Sequence, residues 1–128
     1  MTMLLDARGL QKRFGAVVAA SDVNIAVQTG ERVSLIGSNG AGKTTFINMV
    51  TGYLKPDSGS IVLDGKDITG LLPRRITRMG VARSFQIPQL ALDMTALDNM
   101  LVAAACNDGA LSFWRPAREP HRIERAMA

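Results

Sequence analysis

Between Gly37 and Thr45 the chain reads GSNGAGKTT, with three glycines, a lysine and two threonines in nine residues. Phosphate groups are dense in negative charge, and a protein can hold them with backbone N–H groups aimed from the start of a helix. Glycines permit the close approach. Gly37, Gly40 and Gly42 supply the turn and the clearance, with Ser38, Asn39 and Ala41 completing the loop, and a helix beginning near Gly42 adds the positive end of its dipole. Lys43 then reaches β- and γ-phosphates as a point charge. The Thr44 hydroxyl suits a Mg²⁺ bridging the same phosphates, and Thr45 stands where an α-phosphate would lie. Gly37, Gly42, Lys43 and Thr44 fulfil G-x-x-x-x-G-K-[ST]. With glycine at about 7% of residues, a chance match arises on the order of once in 10⁴ windows. The ligand implied is a nucleoside triphosphate with Mg²⁺.

Such a loop is expected between a strand and a helix. ERVSLIG, ending at Gly37, predicts a well-buried strand, and Phe46, Ile47, Val50 and Leu54 fall at helical spacing behind the loop. Upstream, DVNIAV at 22–27 alternates polar and apolar residues, placing Val23, Ile25 and Val27 on one strand face before the turn at Thr29 and Gly30. Downstream, KPDSG at 55–59 predicts a turn, and SIVLDG a short strand closed by another. LLPRRITRMG predicts a short helix with a proline near its start, Ile76 and Met79 on one side and Gly80 as C-terminal cap. VARSFQ predicts a further strand ending at Gln86. Thr95 with Asp98 resembles a capping box opening a helix whose apolar face is Leu97, Met100, Leu101 and Ala104. The tail from Gly109 begins with turn residues, carries Phe113 and Trp114, and predicts the start of a charged helix at Arg122.

Composition narrows the remaining classes. The 128 residues allow one domain at most, and 47% of them are apolar, yet no run approaches the roughly eighteen apolar residues of a membrane span. The N-terminal residues lack the basic, apolar and small-residue succession of a secretory signal, so a cytoplasmic location is expected. Cys106 is the sole cysteine, which excludes an internal disulfide and a cysteine-rich metal site; its expected role is that of a small buried hydrophobe. Fifteen Lys and Arg against eleven acids give a mild basic excess that is scattered rather than blocked.

RFG at 13–15, the loop SNGAGKTT, TGYLKPDSGSIVLDGKDITG and ARSFQ resemble, in order and spacing, the N-terminal half of an ABC-transporter ATP-binding subunit, over about Leu4 to Ala105. ITGLLPRRITRMGVARSFQIPQL and MTALDNMLVAA look most like the branched-chain amino-acid importer type. The resemblance implies an α/β fold, a P-loop NTPase core with a small antiparallel β subdomain, here incomplete. It divides the chain into an ATPase part at 1–105 and the start of a helical segment at 106–128. It also assigns roles. Phe14 would stack on adenine, since a purine face packs well on an aromatic ring. Gln86 would be the Q-loop glutamine, touching Mg²⁺ and the attacking water, because an amide oxygen ligates a hard cation and its NH₂ donates. Arg74, Arg75, Arg78 and Arg83 would precede that loop. The implied partners are membrane permease subunits and a second ATP-binding subunit, with no nucleic acid, and the implied place is peripheral at the inner face of the cell membrane.

The same resemblance leads one to look for a Walker B acidic pair, a signature LSGGQ helix and a switch histidine, and these do not occur in the 128 residues. Asp64 follows an apolar run but is followed by Gly65, and in the family that run belongs to the antiparallel sheet. His121 sits in a polar tail between Pro120 and Arg122 and makes a poor switch residue. The chain as given is therefore expected to bind Mg-ATP without turning it over. Two other readings stay open: a small P-loop phosphotransferase, given slight support by the arginines at 74–83 and opposed by a short antiparallel sheet after the P-loop helix, and the ABC-type head of a DNA-repair or chromosome ATPase. A guanine-reading N-K-x-D motif is absent, which disfavours a GTPase.

Overall fold

A computed structural model of the chain describes residues 2–85 and 90–107. Gln86, His121, the aromatic pair Phe113 and Trp114, the helix start at Arg122 and the side chain of Cys106 lie outside the described residues. The chain divides into two compact units, 1–82 and 83–128.

The first unit is built on a four-stranded antiparallel sheet in the order β2-β1-β3-β4, with β1 Met3–Phe14, β2 Val17–Gln28, β3 Ser58–Leu63 and β4 Lys66–Asp67. Gly15 takes a positive φ of 59° at the first of the two residues joining β1 to β2, where a II′ hairpin turn places glycine. Asp64 and Gly65 join β3 to β4 with φ of 46° and 73°, the pair of positive angles a I′ turn requires. The resemblance placed SIVLD in the small antiparallel sheet, and there it is: β3 pairs with β1 from Leu5↔Leu63 to Gln11↔Ser58. Along β2, Val23, Ile25 and Val27 are half-buried and Asp22, Asn24 and Ala26 exposed, as their alternation implies.

Strand β1 was not legible from periodicity, and its pairing with β2 explains why. Ala7 faces Ile25 but Leu10 faces Val23, so β1 holds one residue more than β2 across that interval. The extra residue is accommodated at Gly9, with φ 59°, whose N–H donates to the Asn24 side-chain oxygen at 2.8 Å. A bulge of this kind breaks the two-residue period, putting the buried residues Ala7 and Leu10 three apart.

Helix α1, Lys43–Val50, packs Phe46, Met49 and Val50 onto the sheet residues Ala7, Leu10, Ile61 and Leu63 in one core cluster, joined by Ile68 and Ile76. Ile47 and Leu54 are only partly buried against it, and the fully buried position the spacing did not single out is Met49. Helix α2, Pro73–Arg78, begins with proline in its first turn. Its end is a Schellman closure: Val81 N–H donates to the Ile76 carbonyl and Gly80 N–H to that of Thr77. Ile76 is buried and Met79 half-buried, while Arg74, Arg75 and Arg78 point outward.

Two predicted strands do not form. Residues 31–37 and 81–85 join no sheet among the described residues. A parallel strand needs neighbours to take its N–H and C=O groups, and every described pairing is antiparallel and within β1–β4. Far from being well buried, ERVSLIG exposes Val33 and leaves Ile36 95% exposed.

In the second unit, α3 spans Ala96–Asn107. The Thr95 hydroxyl accepts the Asp98 N–H at 3.1 Å and donates to the Asp98 carboxylate at 2.7 Å, so the expected cap is present. Leu101 and Ala105 are buried, with Leu97 and Ala104 half-buried; Met100, expected on that face, lies off this stripe and is exposed. Among the described residues no helix is long and apolar enough to cross a membrane.

Candidate phosphate-binding site

The loop at 37–42 is shaped by its glycines and by β2 behind it. Gly40 and Gly42 take φ of 87° and 85°, conformations that side-chain-bearing residues adopt only at a cost. At Gly42 the lack of a side chain is also required by space, since an added Cβ would run into the Ala19 carbonyl of β2. At Gly37 an added Cβ would come within 3.0 Å of the Ala41 methyl, so the loop closes tightly on itself. Ala41 N–H donates to the Ser38 carbonyl at 3.2 Å and completes the turn.

Gly42 is the N-cap of α1, and no side chain caps that end. By helix geometry the first-turn amides of Lys43, Thr44 and Thr45 have no partner inside the helix, and Gly42 offers no side-chain oxygen to compete for them. No acidic residue stands in this turn. The first intrahelical bond is Phe46 N–H to the Gly42 carbonyl at 2.9 Å. The result is a concavity of about 200 Å³ lined by Asn39 through Thr45, with amide donors, two hydroxyls and the positive end of a helix around it.

Lys43 carries the mobile charge. Its ammonium donates to the Gly37 carbonyl at 2.5 Å and to the Ser38 carbonyl at 2.7 Å, so it bridges the loop from inside. Gly37, Ser38, Asn39, Gly40, Ala41, Gly42, Lys43, Thr44 and Thr45 thus stand together, in one loop and one helical turn. The donor set fits a polyphosphate. Thr44 is exposed at the mouth and can offer its hydroxyl to a Mg²⁺ beside such a ligand; among the described residues no group of three or more His, Cys, Asp or Glu is placed to hold a metal ion.

Phe14 ends β1 at the hairpin and is 51% exposed, so it is not a core residue. It pairs with Val17, and five residues beyond Phe14 the same hairpin reaches Ala19, the contact of Gly42. The hairpin that carries the ring therefore also abuts the loop at Gly42. A hollow of about 310 Å³ lined by Val18, Ala19, Val23, Ile36, Gly42 and Lys43 adjoins the loop. The Lys12 ammonium lies over the Phe14 ring, 5.8 Å from its centroid, and is paired with Asp57. Neither Lys12 nor Asp57 stands out in the sequence. Their signal is three-dimensional, because Asp57 is 45 residues away in the chain.

Residues 20–128 match the ABC transporter family. The chain is 46% identical over 100 residues to the probable branched-chain amino acid transport ATP-binding protein LivG of Archaeoglobus fulgidus, covering 78% of this chain and 39% of that protein. It is 48% identical, with the same coverage, to the high-affinity branched-chain amino acid transport ATP-binding protein BraF of Pseudomonas aeruginosa. The chain thus spans about two fifths of the length of these relatives. Among solved structures, a nucleotide-free ATP-binding cassette from an ABC transporter matches with a TM-score of 0.80 and 34% identity, over 98% of this chain and 52% of that one. The ADP conformation of an ATP-binding cassette of an ABC transporter matches at 0.82 and 35% identity, over 97% and 51%.

Proposed function

Because this chain belongs to the ABC transporter family, we propose that it carries the Mg-ATP-binding loop of an importer ATPase, of the kind that drives branched-chain amino-acid uptake. The observation that carries the proposal is the loop itself. Two glycines in positive-φ conformations, a helix start with no side-chain cap and the Lys43 ammonium converge on one polar concavity. In that concavity the first-turn amides and Lys43 hold the β- and γ-phosphates, Thr45 meets the α-phosphate, and Thr44 contributes a hydroxyl to Mg²⁺. Bound Mg²⁺ would neutralise charge between the phosphates. Phe14 stacks on the base, and its exposure leaves a face free to do so. Gln86 is assigned to Mg²⁺ and to the attacking water on resemblance alone.

The transported substrate is carried over from the relatives named above, and so are the partners: permease subunits in the membrane and a second ATP-binding subunit. The place proposed is peripheral, at the inner face of the cell membrane. Neither the phosphotransferase nor the DNA-repair reading is favoured by any feature of the fold.

The test is a titration of the purified chain with a fluorescent ATP analogue and Mg²⁺, beside Lys43→Ala. Wild type is expected to bind and Lys43→Ala to lose most of that binding. Equal affinity in the two would sink the assignment.

A further inference from the structure

Residue 57 is tied to three consecutive residues of β1 immediately before Phe14. The Asp57 N–H donates to the Gln11 carbonyl at 2.9 Å, Asp57 Oδ1 accepts from the Lys12 ammonium at 2.7 Å, and Asp57 Oδ2 accepts the Arg13 N–H at 2.8 Å. A single turn residue thereby fixes the backbone leading to the ring and the cation beside it. Lys12 is unusually withdrawn for a lysine, its side chain only 15% exposed, whereas Asp57 is 47% exposed. The Lys12 ammonium stands over Phe14, within the distance at which a cation is attracted to an aromatic face.

We propose that Lys12 and Asp57 are positioning residues for base recognition, with Asp57 holding the Lys12 ammonium against one face of Phe14 so that the other face is the platform for a purine. This rests on the reading of Phe14 as the base-stacking ring. The half-exposure of Phe14 agrees with a ring covered on one side. A ring free on both faces would reorient between rotamers, and a stacking partner would then have to immobilise it. Clamped by an ammonium that is itself clamped by a carboxylate, the ring presents one orientation before the nucleotide arrives. Beyond its share in stability, the pair is expected to act on ligand geometry.

The experiment compares two competitors for a fluorescent ATP analogue on the full chain: Mg-ATP, which has a base, and Mg-tripolyphosphate, which has none. The readout is the ratio of their affinities. Lys12→Met keeps the aliphatic stem, and Asp57→Asn keeps an acceptor for the Arg13 amide, so each removes the ion pair with little change to the sheet. Both are expected to lower the ratio about two- to fivefold, while Lys12→Arg retains it. In a Phe14→Ala background, Lys12→Met should lower it no further. If Lys12→Met weakens both competitors equally, its charge acts on phosphate and the proposal is overturned. If Phe14→Ala lowers the ratio but Lys12→Met and Asp57→Asn do not, the positioning role alone fails. Should Phe14→Ala leave the ratio unchanged, the stacking role of Phe14 fails and the positioning role falls with it.

Discussion

The Ala19 carbonyl oxygen of β2 occupies the space that a Cβ on Gly42 would need. The sheet thereby sets the last turn of the phosphate loop, and only glycine satisfies both the φ of 85° and the close approach. Gly40 has a similar φ of 87°, but an added Cβ there meets nothing within 4 Å. Gly40→Ala should cost about 1–2 kcal/mol from backbone strain alone. Gly42→Ala should cost more in urea denaturation and should abolish binding of the ATP analogue. Equal effects of the two would remove Ala19 from the account.

Phe14→Ala tests whether the ring serves packing or ligand. Stacking contributes about 0.5–1.5 kcal/mol beyond area burial, so ATP affinity should fall by up to about tenfold. The unfolding midpoint should move little, because the side chain is half-exposed. A core phenylalanine would lose about 3–5 kcal/mol on truncation, and a loss of that size would place Phe14 in the core.

Asp57 gives the stability curve a defined acid limb. The hydrogen bond from Lys12, and next that from the Arg13 amide, hold its carboxyl below its ordinary value of 3.8. A depressed folded value means that the stabilisation is present above the ordinary value and is lost as pH falls through the folded one. Asp67 is shifted the same way by the Thr69 hydroxyl and amide, so wild type alone does not isolate Asp57. The gap in urea midpoint between wild type and Asp57→Asn should be constant above about pH 5 and close toward pH 2. A gap that widens on acidification would contradict the sign.

Core truncations should separate the two kinds of apolar residue. Ile61→Ala and Met49→Ala remove fully buried side chains and should each cost about 2–5 kcal/mol. Ile36→Ala, at a site 95% exposed, should stay within about 0.5 kcal/mol. A large cost at Ile36 would mean that residues 31–37 are buried in solution after all.

Phosphate release measures what these 128 residues can do to ATP. In the proposed site Lys43 and Thr44 would act on phosphate and metal, and Asp64 stands in the β3–β4 turn, where it closes a hairpin. Hydrolysis needs a group that orients the attacking water and donors around the γ-phosphate. The chain is expected to release no more phosphate than Lys43→Ala does. Lysine-dependent turnover at ordinary enzyme rates would reveal a catalytic acid among these residues.

The sequence by itself determined the features whose physics is local. The phosphate loop is legible because each glycine answers a backbone requirement within nine residues and the lysine follows at fixed distance. The I′ turn at Asp64 and Gly65, the Thr95–Asp98 cap and the Schellman closure at Gly80 are legible for the same reason, since their partners are within five residues. Tertiary structure decided the rest. Apolar periodicity states what a segment could bury, and it cannot state whether a neighbour is there; hence the buried strand expected at 31–37 is an exposed segment, and hence β1, bulged at Gly9 against β2, shows no regular two-residue period. The contacts of Ala19 with Gly42 and of Asp57 with Lys12 and Arg13 join residues 23 or more positions apart. No local rule pairs such residues, because their proximity exists only once the hairpin, the loop and the turn after α1 have packed on one core.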